Sequence, residues 1–153
     1  MFDLQRIHHT GMAVADITAA QAAIGAALNL EWAPVRDFDP LPFWTPEHGT
    51  HEVFVRATYS RTGPHHLELV QGTGPFYDPD RMPDARHIGV MVDDLPAEAE
   101  RLLRLGWKVI AAGAAPDDGF GLITYLRPPL PGLMIELISV ALKPILDEWI
   151  AAD

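Results

Sequence analysis

Two histidines and two glutamates recur at equivalent places in the two halves of this 153-residue chain. Residues 9–16 align with residues 87–94, and each segment begins with a His and continues with a Gly, a Val and an Asp at the same spacing. Farther along each half, Glu68 and Glu136 each precede a Leu in a short apolar run. A repeat of this length indicates a duplicated structural unit, so folding the two units together would gather two imidazoles and two carboxylates.

Metal binding is the chemistry that this set of side chains predicts. Two carboxylates and two neutral imidazoles together carry two negative charges, which would neutralise a divalent cation. The mixed nitrogen and oxygen ligands suit Zn, Ni, Co, Mn or Fe(II) better than Ca. An octahedral ion would keep about two positions for water or substrate. The alternative is that each side chain is satisfied by ordinary hydrogen bonds, as most buried polar groups are.

Strand alternation gives the first expectation about geometry. If His9 faces inward, then Gly11 does too, whereas His8 faces outward. Each of the four candidate ligands lies among apolar neighbours, where an unpaired charge would be costly. The glycine two positions after each of the two histidines predicts space for a ligand or for a close approach of the backbone.

The apolar pattern predicts a β-α-β-β-β order of elements in each half. Asp16 and Asp94 are good N-caps, and the helices that follow them are predicted over residues 17–30 and 95–105. Residues 37–50 are rich in Pro, Asp and aromatic side chains, which predicts an irregular loop that either covers a pocket or lies on the surface. The predicted strands cover residues 7–14, 32–35, 51–59, 65–70, 86–92, 107–112, 120–126 and 133–139, and a last helix covers residues 144–151.

These elements predict an α+β domain built from two tandem βαβββ modules. We place the first module at residues 5–71, a linker at 72–84, the second module at 85–139 and a C-terminal helix at 140–153. A single domain, residues 1–153, therefore contains both modules. The modules are expected to form a curved mixed sheet around the metal site.

The composition argues against nucleic-acid and membrane partners. Acidic side chains outnumber basic ones by 21 to 11 and the formal charge is −10, so a phosphate-binding nucleic-acid surface is not expected. No apolar run reaches the roughly 18 residues needed to span a membrane. The first residues lack the pattern of a signal peptide and the chain contains no Cys. We therefore expect a cytoplasmic protein without disulfides or thiolate metal sites.

The repeat resembles the vicinal-oxygen-chelate superfamily, which includes glyoxalase I, methylmalonyl-CoA epimerase, extradiol dioxygenases and bleomycin-resistance proteins. The likeness covers nearly the whole chain, residues 7–139. Its most specific parts are His9-x-Gly11-x-Ala13-Val14-x-Asp16, Leu67-Glu68-Leu69, His87-x-Gly89-x-x-Val92-x-Asp94 and Ile135-Glu136-Leu137.

The resemblance implies a fold, a cofactor and a kind of substrate. Each module is expected to curl into a half-barrel, with the metal ion in the cup between them. The resemblance carries the role of metal ligand to His9, Glu68, His87 and Glu136. It implies a small carbonyl compound as the substrate. We also expect a homodimer, and the site could form within one chain or across two.

The branches of this superfamily differ in their ligand sets. Two His and two Glu are similar to glyoxalase I-like enzymes, whereas epimerase-like members often have Gln where Glu68 stands. Ring-cleaving dioxygenases use two His and one Glu, and bleomycin-resistance-like proteins generally lack a complete set. The resemblance therefore favours a divalent-metal-dependent isomerase, epimerase or lyase. The alternatives are a non-catalytic small-molecule binding or resistance protein and an extradiol-type dioxygenase.

By likeness to glyoxalase I, Glu136 leaves the metal and acts as the base, with Glu68 in a related role. Alternatively, both carboxylates stay ligands and another group moves the proton. His66 is then the first candidate, because alternation places it on the face of Glu68 and imidazole titrates near neutral pH. The other candidates for proton transfer are His51, Glu47 and Tyr125, and the candidates for holding an anionic substrate are Arg56, Arg61 and Arg127.

Overall fold

The computed structural model describes residues 3–82 and 86–153. Within these ranges eight strands and three α-helices follow one another in the predicted order, β-α-β-β-β twice and then a last helix. Residues 1–2 of the predicted domain, and residues 83–85 at the end of the predicted linker and the start of the predicted second module, lie outside the described residues. The elements are β1 Ile7–Ala13, α1 Ile17–Leu28, β2 Arg36–Thr45, β3 Gly49–Tyr59, β4 His66–Gly72, β5 His87–Val92, α2 Leu95–Arg104, β6 Lys108–Ala112, β7 Ile123–Arg127, β8 Met134–Ser139 and α3 Lys143–Ala151.

The eight strands form one mixed sheet that closes on itself in the order β1-β4-β3-β2-β6-β7-β8-β5. In each half the first strand lies parallel to the fourth, as β1 does to β4 and β5 does to β8. The two halves meet where β1 pairs antiparallel with β5, and again where Trp44 of β2 pairs with Ala112 of β6. The predicted α+β class and curved mixed sheet are therefore confirmed. The sheet curves far enough to form a closed barrel.

The first two helices begin at the predicted caps and pack on the outside of the sheet. The Asp16 carboxylate accepts a hydrogen bond from the Ala19 amide at 3.0 Å, and Asp94 accepts one from Ala97 at 3.1 Å. The apolar face of α2 is buried against residues of β5, β7 and β8 that alternate with those facing the interior. Among the helices of the described ranges, none is long and apolar enough to cross a membrane.

The segment predicted as an irregular loop, residues 37–50, is mostly strand, so that prediction is wrong. β2 runs through it and pairs with β3, and the inward-facing Phe43 is only 1% exposed. β2 pairs with β6 only at Trp44, near the end of β2, so most of the edge of β2 that faces β6 makes no strand hydrogen bonds. The two prolines inside β2, which lack an N–H donor, are therefore tolerated. The strand predicted over residues 32–35 reduces to an isolated bridge at Trp32.

Segments outside the two β-α-β-β-β units complete the core of the sheet. Leu146 and Trp149 of α3 are buried, and Trp149 Nε1 donates a hydrogen bond to the Pro34 carbonyl at 2.7 Å. Phe76 and Tyr77, which lie in the predicted linker, are buried in the same apolar cluster. The last helix and part of the linker therefore belong to the core of this chain.

Candidate metal centre

The four side chains that the repeat predicts as ligands meet at one point inside the closed sheet. Each offers one ligand atom, these atoms lie within 4.8 Å of one another, and all four residues are buried. Strand order explains the convergence, because β1 and β5 are neighbours and β4 and β8 flank them. Each half thus contributes one imidazole and one carboxylate. The group consists of His9, Glu68, His87 and Glu136.

His9 occupies the middle of the group. Its Nε2 atom lies 3.0 Å from Glu136 Oε2 and 3.3 Å from Glu68 Oε2. The same atom lies 3.2 Å from His87 Nε2. The Nε2 atom of His87 lies 3.2 Å from Glu68 Oε2 and 3.6 Å from Glu136 Oε2. Ligand atoms from both halves therefore surround one small volume.

This donor set fits a divalent cation. Glu136 Oε2 is buried and, although it lies 3.0 Å from His9 Nε2, it makes no hydrogen bond to a described residue. The two imidazole nitrogens that face each other can share only one proton when both rings are neutral. A cation between them would satisfy both nitrogens and both carboxylates, with the nitrogen and oxygen ligands typical of Zn, Ni, Co, Mn or Fe(II). The group could therefore hold a metal ion.

The carboxylates also change the ionisation of the histidines. Burial would lower the pKa of His9, but Glu68 and Glu136 outweigh burial and raise this pKa to about 10. Burial would likewise lower the pKa of His87, and the hydrogen bond to Glu68 raises it. Burial would raise the pKa of Glu68, but His9 and His87 hold it well below its usual range. His9 therefore carries a proton at neutral pH that a metal ion must displace.

Two glycines make room for the group at its centre. Gly11 lies opposite His87 in the strand pairing, and Gly89 lies opposite His9. A Cβ atom at Gly11 would meet the His87 ring and lie 2.7 Å from Glu68 Oε2, and a Cβ atom at Gly89 would lie 2.6 Å from His9 Nε2. The glycine of each half accommodates the imidazole of the other half, which explains the repeated His-x-Gly motif.

A pair of tyrosines extends the internal symmetry. Tyr59 lies opposite Glu68 between β3 and β4, and Tyr125 lies opposite Glu136 between β7 and β8. Each ring packs edge-on against the first-strand ligand His of its own half, at 5.4 and 5.1 Å between centroids. Burial, together with the nearby carboxylates, raises the pKa of both hydroxyls, so they stay neutral donors. The sequence prediction named Tyr125 but missed Tyr59, which an alignment of the strands before each Glu would have found.

An apolar cavity of about 420 Å³ opens onto the two carboxylates. α3 forms part of its wall, and the Arg36 guanidinium lies at the cavity, 4.9 Å from the centre of the Trp149 ring. A mostly apolar wall with a few convergent polar groups is typical of small-molecule sites. Besides Glu68 and Glu136, the lining includes Phe38, Leu41, Val55, Tyr59, Tyr125, Leu146 and Trp149.

His66 lies outside the group of four. Its Nδ1 atom donates a hydrogen bond to the Ser60 carbonyl at 2.7 Å, and its ring lines a second cavity, which it shares with His8. The proton-transfer role of His66 stays a prediction, to which this placement adds no support. Two other candidates, His51 and Glu47, line a third cavity of about 240 Å³.

The arginines predicted to hold an anionic substrate lie elsewhere. Arg56 pairs with Asp37 at 2.9 Å, and Arg61 donates to a backbone carbonyl at 3.2 Å. Neither these two residues nor Arg127 lines the cavity that contains the carboxylates, whereas Arg36 does. Sequence reasoning missed Arg36, which lies between the predicted strand at 32–35 and the predicted loop at 37–50 and begins β2 in the structure.

Strand alternation predicts that His8 faces outward, and this prediction is wrong. The pairing of β1 with β5 shifts register between Ile7 and His9. Such an irregularity re-aims a side chain, and here His8 is only 9% exposed, with its Nδ1 atom 3.0 Å from His9 Nδ1. Burial, together with His9, lowers the pKa of His8 to about 4, so the ring is neutral at physiological pH.

The family model of the glyoxalase/bleomycin resistance protein/dioxygenase superfamily matches residues 8–125. No curated protein sequence matches the chain at a significant level.

Several solved structures share the fold. A variant of methylmalonyl-CoA epimerase from Streptomyces coelicolor, in complex with 2-nitronate-propionyl-CoA, is 21% identical, with a TM-score of 0.57 over 88% of this chain and 96% of that one. The methylmalonyl-CoA epimerase from Mycobacterium tuberculosis is 18% identical, with a TM-score of 0.56 over 91% and 92%. A hypothetical protein from Bacillus halodurans C-125 is 17% identical, with a TM-score of 0.59 over 87% and 92%. At these identities the likeness shows the fold alone.

Adding a methyl group at the centre should disrupt the metal site. In Gly11→Ala the new Cβ displaces the His87 ring and crowds Glu68, so we expect at least about a tenfold loss of zinc affinity and about 1–3 kcal/mol of destabilisation. Gly113→Ala is the matched control, because its Cβ would lie 3.6 Å from its nearest neighbour. Chelator competition and urea unfolding measure the two quantities. Equal zinc affinity in both variants would contradict the role of Gly11.

Metal binding should strengthen as the pH rises. His9 has a raised pKa of about 10, so below that pH an ion must displace a proton to bind its Nε2 atom. We expect the zinc association constant to increase about tenfold per pH unit for each proton displaced. Chelator competition at several pH values measures the slope, and calorimetry in buffers of different ionisation enthalpy counts the protons. An affinity independent of pH would show that His9 is not a ligand.

Proposed function

Because the chain belongs to the glyoxalase/bleomycin resistance protein/dioxygenase superfamily, we propose that it is a divalent-metal-dependent enzyme. In this proposal it moves a proton at a carbon next to a carbonyl group, as an isomerase, epimerase or lyase. The observation that carries the proposal is that two carboxylates belong both to a buried donor group and to an apolar cavity. Such a group is costly for folding, and the cavity gives it a use in catalysis.

The proposed ligands are the Nε2 atoms of His9 and His87 and a carboxylate oxygen from each of Glu68 and Glu136. When bound, a divalent cation acts as a Lewis acid that stabilises negative charge on a substrate carbonyl oxygen. The strands of the closed sheet fix the positions of these donors. The apolar wall around them limits water, which strengthens the electrostatic interactions within the site.

Glu136 is the proposed base. Its carboxylate lines the cavity, and its Oε2 atom makes no hydrogen bond to a described residue, so few contacts within the chain oppose a move of this carboxylate from the ligand position to that of the base. Glu68 is hydrogen-bonded to His87, and the two histidines hold its pKa low, which favours the role of an anionic ligand. A carboxylate oxygen next to the substrate can accept a proton from one carbon position and return it to another. The two cavity tyrosines, which stay protonated, can donate hydrogen bonds to the substrate.

The cavity supports a small carbonyl substrate with an apolar body. Its volume of about 420 Å³ lies within the range of small-molecule sites. Arg36 stacks over Trp149 at this cavity and has no ion pair with the described residues. An anionic group of the substrate would give the guanidinium a charged partner. The proposed substrate class is therefore a small carbonyl compound that also carries a carboxylate.

Two other functions have less support. A binding protein could sequester a small molecule in the same cavity, and the aromatic wall favours this alternative, but it would not need four buried ionisable groups. An extradiol-type dioxygenase is expected to have one glutamate at the site, whereas this group has two. The homodimer, the cytoplasmic location and the absence of nucleic-acid and membrane partners stay predictions from the sequence.

Replacing the proposed base should separate proton transfer from metal binding. In Glu136→Gln a ligand oxygen remains but the base is lost, so we expect proton exchange to fall about 10²–10⁴-fold while most metal affinity is kept. His87→Ala should lose both metal and exchange. Deuterium exchange from solvent into a panel of small oxo acids, followed by NMR, measures the first quantity, and elemental analysis measures the second.

The matched control for this experiment is Glu98→Gln. Glu98 is a buried glutamate on α2 that pairs with Arg101 at 2.6 Å and does not line the cavity. We expect its replacement to leave exchange and metal content unchanged. Full exchange in Glu136→Gln would contradict the base assignment, and full metal occupancy in His87→Ala would contradict the ligand assignment.

Removing the positive charge of Arg36 should weaken the binding of an anionic compound but not that of a neutral one. In Arg36→Met we expect binding of an oxo acid to weaken about tenfold or more, while binding of its methyl ester is unchanged, because only the acid loses a charged hydrogen bond. Arg56→Met is the control, since Arg56 pairs with Asp37 away from the cavity. Calorimetry on the metal-loaded protein measures both affinities. An equal loss for acid and ester would contradict the proposed role of Arg36.

A further inference from the structure

The two consecutive histidines of β1 are in direct contact. His9 directs its Nε2 atom at the other three members of the metal group, at 3.0 to 3.3 Å. Its second ring nitrogen, Nδ1, lies 3.0 Å from the Nδ1 atom of His8. Both rings also pack edge-on against Tyr59, with centroids 5.5 and 5.4 Å away. Each of the two imidazoles of this pair is therefore held in one orientation.

The proton positions in this pair follow from the chemistry of imidazole. A ring nitrogen that faces a metal ion carries no proton, so a neutral His9 with Nε2 toward the ion must carry its proton on Nδ1. That N–H can only donate, and His8 Nδ1 is the nitrogen that it faces. A neutral His8 must then accept at Nδ1 and carry its own proton on Nε2.

The surroundings of His8 are consistent with that tautomer. His8 Nε2 is buried and has no hydrogen-bond partner among the described residues. The His8 ring borders a cavity of about 440 Å³ that is also lined by His66, and the two ring centroids are 5.3 Å apart. His66 uses its Nδ1 proton for the Ser60 carbonyl, which leaves the ring nitrogen Nε2 as an acceptor. A water molecule in this cavity could therefore accept the His8 proton.

The second half of the chain has no counterpart of His8. Arg86 stands before His87 as His8 stands before His9, but Arg86 is exposed. The register shift in β1 turns His8 into the interior. This shift lies between Ile7 and His9, next to the ligand His of the first half. The two halves therefore differ in how the ligand histidine is held.

We propose that His8 is the positioning residue of the metal centre, which accepts the Nδ1 proton of His9 and thereby fixes its Nε2 atom toward the ion. This inference rests on the proposed function, since it takes His9 as a ligand. Ligand histidines usually donate their second ring N–H to a carboxylate, a carbonyl or water, and the loss of such a partner typically costs about 10–100-fold in metal affinity. Here another imidazole plays that part.

The test compares three substitutions at His8 in the full chain. His8→Ala and His8→Leu remove the acceptor, and His8→Leu also keeps much of the side-chain volume. His8→Asn places a carbonyl oxygen near the position of the lost Nδ1 atom. His65→Ala is the matched control. His65 is exposed and immediately precedes β4, and its ring contacts Thr10 of β1 at 2.8 Å. Zinc affinity is measured by chelator competition, and the ligand geometry by the absorption spectrum of bound Co²⁺.

We expect zinc affinity to fall about 10–100-fold in His8→Ala and His8→Leu, and to recover to within about threefold of wild type in His8→Asn. The Co²⁺ spectrum should change in the first two variants only, and His65→Ala should match wild type in both measurements. Affinities within about twofold of wild type in His8→Leu would overturn the inference. An equal loss in Asn and Leu variants would also overturn it, because packing would then explain the loss.

A measurement on the wild-type protein covers the case in which the variants do not fold. With ¹⁵N-labelled histidine and bound zinc, NMR should show that His9 Nδ1 carries a proton and donates it in a hydrogen bond to His8 Nδ1. A proton on His8 Nδ1 instead would overturn the inference. If the wild-type protein binds zinc but catalyses no deuterium exchange into the oxo acids, the proposed activity is overturned. The zinc affinities of the His8 variants then still decide the role of His8. A wild type that binds no ion would overturn both.

Discussion

The burial of two carboxylates and two imidazoles around one point is the constraint on which the rest of this structure depends. Separate burial of these charges would be costly, and their mutual attraction offsets that cost only if the four groups meet closely. Meeting closely requires β1 and β5 to be neighbours, with β4 and β8 beside them. It also requires residues without a side chain, Gly11 and Gly89, where the two halves touch. The order of these four strands and the repeated glycines both meet this requirement.

The duplicated halves place matching groups in the site but do not give them matching environments. Glu68 is hydrogen-bonded to His87, whereas Glu136 Oε2 makes no hydrogen bond to a described residue. The residue before the ligand His is buried in the first half and exposed in the second, as His8 and Arg86 are. Duplication therefore supplies a symmetric donor set, and the differences between the halves support the proposed division of roles, with Glu68 as a ligand and Glu136 as the base.

Sequence reasoning succeeded where the periodicity of one element decides the outcome. The helix starts at Asp16 and Asp94 follow from local capping, and the order of strands follows from the repeat. β2 was missed because its prolines are usually excluded from strands, and only the mostly unpaired edge, a property of the whole sheet, makes them acceptable. His8 was predicted on the wrong face because the register shift depends on the neighbouring strand β5, which sits far away in the sequence. Arg36 was missed because its place at the cavity follows from β2, the strand that was not predicted.

The cavity wall and the donor group come partly from different segments of the chain, because α3 contributes to the first and not to the second. Leu146 and Trp149 form part of the wall, yet all four members of the donor group come from β1, β4, β5 and β8. Substitutions on this helix can reshape the cavity without disturbing the pairing of the strands that carry the donor group. The shape of the cavity and the arrangement of the donor group can therefore vary separately, because different segments of the chain determine them.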